Sequence, residues 1–158
     1  MKNNIHYFLL ATFCLFLVAC GDKKDPLMEE AGKIHLEAMA IEEGLHEQIE
    51  GIDSLKVALD EKRKTITDAA ATASLDSTVA MLDAVANSFE TWEENLVEVP
   101  GLAHEHHHHE GEEHHHDHKP APNVSSEQMV EIQKEIKANI EKIKSEMAKA
   151  EEMLKRVL

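Results

Sequence analysis

Apolar residues recur along this chain at alternating spacings of four and three, in three separate stretches. In the first, Ala31, Ala38, Leu45, Ile52, Leu59 and Ile66 form one row. Leu27, Ile34, Ile41 and Leu55 form a second row, interrupted by the polar Gln48 and Lys62. This is a heptad seam, the mark of a helix that buries one stripe against a neighbour. Pro26 suits a first helical turn and Asp25 can cap it, so the pattern predicts one long helix over about Leu27 to Lys64. Gly44 and Gly51 fall inside and are expected to bend or fray it, because glycine costs about 1 kcal/mol relative to alanine in a helix interior.

In the second stretch Leu75, Leu82, Phe89 and Leu96 recur every seven residues, widened by Val79, Val85, Ala86 and Trp92. A helix over 74–98 is predicted, capped by Ser74 after a turn from Thr65 to Ser74 and stopped by Pro100-Gly101. The third stretch carries Met129, Ile136, Ile143, Ala150 and Val157 in one row and Ile140, Met147 and Leu154 in the other, with Ile132 alongside. Ser125 followed by Gln128 is a capping-box pattern that opens this helix, which runs over 125–158.

No such helix can bury its seam alone. The expected fold is therefore all-α: an antiparallel three-helix bundle, up-down-up, with crossing angles of about 20°. A coiled-coil-like hairpin over 27–99 and a third helix over 125–158 form one bundle. The first helix is predicted longer than the second, so either it is broken or part of its seam serves self-association or a helical protein partner.

Two segments lie outside the heptads. Lys2 followed by an apolar run from Ile5 to Val18 is a targeting segment, too short and too polar on its far side for a comfortable membrane span. It closes on Leu17-Val18-Ala19-Cys20, which resembles the lipobox of bacterial lipoproteins. The resemblance implies a signal peptide over 1–19, lipidation of the Cys20 thiol and a polar tether over 20–26. Gly21 after the cysteine implies an outer-membrane destination, facing the periplasm or the cell surface. With Cys14 in the leader and Cys20 acylated, no disulfide is expected, and stability rests on helix packing.

The other segment runs over 100–124 and is expected to be a disordered loop, because its stretch from His104 to His118 offers nothing apolar to bury. Nine of the twelve histidines of the chain lie in it: His104, His106, His107, His108, His109, His114, His115, His116 and His118. Glu110, Glu112, Glu113 and Asp117 are interspersed as additional ligands. Imidazole and carboxylate are the donors that zinc, nickel and copper take when thiolate is absent. A divalent metal ion is therefore the expected cofactor, zinc first and loosely bound. Ligation competes with protons, so affinity should fall below about pH 6. Glu42, His46 and Glu50, at spacings of four on one helical face, form a second and weaker candidate set.

The formal net charge is −15, concentrated in residues 26–99, where seventeen acids stand against five bases. So acidic a body excludes nucleic acid as a partner and favours cations. No nucleophile with a partnered base, phosphate loop or haem motif is present, so the chain is not expected to be an enzyme. His35 flanks the first seam as a packing histidine, Met129 and Met147 are core filler, and Trp92 is a core anchor.

Ile34-His35-Leu36-Glu37-Ala38-Met39, then Glu90-Thr91-Trp92-Glu93-Glu94-Asn95-Leu96, then a lysine- and glutamate-rich last helix after a proline, resemble the small helical bacterial lipoproteins labelled "viral A-type inclusion protein". The resemblance implies a lipid-anchored helical bundle and no defined activity. Two functions follow as expectations. One is capture or buffering of divalent metal by the histidine-rich loop. The other is a structural or protein-interaction role in which that loop is a passive linker.

Overall fold

The computed structural model describes residues 25–102 and 123–158. Cys20, the expected lipidation site, and the metal-ligand candidates from His104 to His118 lie outside the described residues. Helix α1 spans Pro26–Glu50, α2 Ile52–Arg63, α3 Ala69–Glu94 and α4 Ser126–Val157. The described residues form an all-α bundle of three rods, with α1 and α2 stacked into the first.

The junction between α1 and α2 is Gly51, which stays in the right-handed helical region at φ −70°, ψ −15°. Its amide still reaches the Glu47 carbonyl at 3.1 Å, and its own carbonyl takes the Leu55 amide at 3.1 Å. The rod is thus interrupted without being redirected. Accordingly the row Ala31, Ala38, Leu45, Ile52 and Leu59 is buried on both sides of the break. Gly44, the other expected weak point, sits inside α1.

Helix α3 begins and ends earlier than its apolar pattern implies. Ser74 is not the cap; Asp68 is, its carboxylate accepting the Ala71 amide at 2.7 Å. The alanine-rich turn that follows has high helix propensity and needs no buried partner to form, so hydrophobic spacing is silent about it. At the far end Asn95 closes the helix, its side-chain amide donating to the Thr91 carbonyl at 2.7 Å. Pro100-Gly101 instead shapes a later turn, in which Gly101 takes φ +78°, a region glycine alone enters freely. At the start of α4 the Ser125–Gln128 capping box is complete in both directions.

Contacts run mainly from α1 to α4, from α3 to α4 and from α2 to α3, while α1 and α3 touch sparsely. The core is continuous from Ala38 to Ala150, with Leu59, Leu75, Leu82, Val85 and Ile140 all but sealed from solvent. Trp92 enters it and donates its indole N–H to the Ile136 carbonyl at 2.9 Å. A second, smaller cluster of Ala31, Val99, Met129 and Val130 closes one end, with Leu27, Met28, Leu102 and Val124 packed against it. Leu102 lies where a side chain on Gly32 would touch it at 3.4 Å.

Salt bridges mark the antiparallel register of the rods. Lys56 on α2 meets Asp83 on α3 at 2.7 Å, and Arg63 meets Asp76 at 3.0 Å. Seven residues forward on one rod thus answers seven residues back on the other. Lys137 on α4 reaches Glu37 on α1 at 2.6 Å. These exposed pairs contribute little energy each but are incompatible with a slipped pairing. Among the described residues no helix is long and apolar enough to cross a membrane.

Candidate metal centre

Residues four apart on a helix stand one above the other, so Glu42, His46 and Glu50 share a face of α1. His46 Nδ1 lies 3.6 Å from Glu42 Oε1, and His46 Nε2 lies 3.3 Å from Glu50 Oε1. The imidazole therefore has a carboxylate at each nitrogen. The two acids differ in setting: the Glu42 side chain is 18% exposed and that of Glu50 67%. Glu42 faces the bundle and Glu50 the solvent.

The third member of the inward group comes from another helix. Ligand atoms of Glu42, His46 and Glu93 all lie within 4.8 Å of one another, each residue half-buried. The register explains this juxtaposition, since extending the Arg63–Asp76 and Lys56–Asp83 pairing back along α1 brings position 46 level with position 93. Phe89, one turn before Glu93, sets its ring 6.5 Å from that of His46 and tilted by 53°. Trp92 in turn stacks on Phe89, with ring centroids 6.3 Å apart.

Reasoning from the sequence thus placed Glu42 and His46 together but supplied Glu50 in place of Glu93. The omission has a physical cause: periodicity along one helix says nothing about which residue of another helix lies opposite. The two opposite-charge pairs seven residues apart were the signal that could have revealed it.

Chemically, one imidazole and two carboxylates form a donor set whose two negative charges neutralise a doubly charged ion. With bonds of about 2.1 Å, donors around a tetrahedral zinc stand roughly 3.4 Å apart. The Glu42–His46 separation is close to that edge already, and Glu93 requires only a side-chain adjustment. Three protein donors leave a coordination position for water or an exchanging ligand.

Elsewhere, Met129 and Met147 are buried in the core, as their seam positions implied. His35 is buried too, with Nδ1 2.9 Å from Gln133 Oε1. No protein-family model, curated protein or solved structure matches this chain.

Proposed function

We propose that this chain is a lipid-anchored helical protein that captures or buffers divalent transition metal at the outer membrane, zinc first, with nickel or copper as alternative cargo. The observation that carries the proposal is the segment from His104 to His118, where nine imidazoles and five carboxylates stand among fifteen residues. Ligands at this density wrap an ion in many equivalent ways, which favours capture and exchange over a single fixed geometry.

The placement of the flanks supports the reading. Leu102 and Val124 pack on the same small cluster as Leu27 and Met28. The histidine-rich segment therefore leaves and rejoins the bundle at the end where the N-terminal tether arrives, held there by the Ser126 hydroxyl donating to Asp25. A lipid on Cys20 would keep that end of the rod, and the segment with it, close to the membrane surface.

Calorimetric zinc titration of the chain from Gly21, beside a variant with residues 103–119 replaced by a glycine-serine linker, tests the proposal. Micromolar or tighter binding of several ions per chain, with all but at most one lost in the variant, is the expected result. Binding no better than millimolar, or unaltered in the variant, would leave a helical interaction module with a passive linker.

A further inference from the structure

We infer that Glu42, His46 and Glu93 hold a single zinc-class ion between α1 and α3, at a site separate from the histidine-rich segment and not dependent on it for its ligands. Three features converge. The donors come from two helices, α1 and α3, in the same antiparallel register that the Lys56–Asp83 and Arg63–Asp76 pairs show between α2 and α3, so the site is assembled by the fold rather than by loop closure. The group is half-buried, which limits competition from water.

The third feature is the Glu50 carboxylate behind the ring, its Oε1 3.3 Å from His46 Nε2. On the other side of the ring Nδ1 faces the Glu42 carboxylate 3.6 Å away. A carboxylate behind a histidine is the usual outer partner of a metal-bound imidazole, where it fixes the ring and raises its basicity.

Such an ion would join two helices that otherwise touch sparsely. It would act as a removable cross-link, with water or an exchanging ligand in its remaining position.

Trp92, the single tryptophan, gives a local readout because it lies beside Glu93 and stacks on Phe89. The test is a cobalt(II) titration of the full-length chain in detergent, followed by Trp92 fluorescence, with circular dichroism confirming that each variant is helical. Expected is a saturable quench with a micromolar midpoint, reversed by zinc and kept when residues 103–119 are replaced by a glycine-serine linker. Glu93→Gln and His46→Gln should each shift the midpoint by roughly tenfold or more, and Glu50→Gln by less. The inference is overturned by absence of a quench below millimolar cobalt, by a quench unchanged in Glu93→Gln, or by one lost only with the histidine-rich segment. The last outcome would leave metal capture by that segment intact, so the two sites are judged separately.

Discussion

His35 on α1 donates its Nδ1–H to Oε1 of Gln133 on α4 across 2.9 Å, both side chains being sealed from solvent. The direction of the bond follows from its surroundings. Gln133 Nε2 donates to the Val97 carbonyl at 2.7 Å, which only the amide nitrogen can do, so Oε1 must face the histidine. The network joins α1, α4 and the chain leaving α3 with a single glutamine. Gln133→Leu should cost about 1–3 kcal/mol, because it strands a buried ring nitrogen. Adding His35→Leu should recover much of that loss, since removing both partners avoids the unsatisfied group. Denaturant unfolding of the four proteins gives the coupling, and simply additive costs would contradict this account.

Trp92 combines burial with a hydrogen bond to the Ile136 carbonyl, a group that already serves the α4 backbone. Trp92→Ala should destabilise the bundle by about 3–5 kcal/mol, as large-to-small core changes do. Trp92→Phe keeps most of the apolar volume and should cost clearly less. Unfolding curves from circular dichroism rank the two, and equal losses would show that the ring's bulk is irrelevant.

Gly44 presents open space: a Cβ there would meet nothing within 4 Å. Gly44→Ala should therefore stabilise the protein by about 0.4–1 kcal/mol through lower entropy of the unfolded chain. Gly101→Ala should do the opposite, because its φ of +78° is strained for any side chain. Thermal melts of both variants should move in opposite directions.

The Asp25 carboxyl is held below its ordinary value of 3.8, first by the Ser126 hydroxyl and then by the Leu27 amide. A lowered folded pKa means that the ionised form is favoured in the native state. Its stabilisation is complete above about pH 4 and disappears as pH falls through the folded value. Ser126→Ala removes the larger cause. Its melting temperature should lie below that of the parent at neutral pH and approach it near about pH 2. A gap that is constant with pH would assign the contact no electrostatic part.

The residues that carried the fold were legible because burial imposes a period. Every member of the row from Ala31 to Leu59 is buried, as is each of Met129, Ile136, Ile143 and Ala150. Where the core accepts a polar residue, the pattern misled. Gln133 and Thr78 occupy seam positions at 0% exposure, Gln133 through its network and Thr78 by turning its hydroxyl onto the Ser74 carbonyl. Helix ends were legible where a cap is a side-chain motif, as at Asp25 and Ser125. They were not where alanine propensity extends α3 back to Asp68. Glu93 was hidden for a different reason, since proximity across helices depends on register, and register is set by pairs distant in sequence.

Leu102 and Val124 end on one small apolar cluster, so the bundle closes the intervening connection on itself and asks only that its two ends meet. The entropy of closing such a connection rises by only about 0.6 kcal/mol for each doubling of its length. Histidines in this segment can therefore be added or lost with little effect on folding. The number of imidazoles is a quantity that selection can tune by length, leaving the helices untouched.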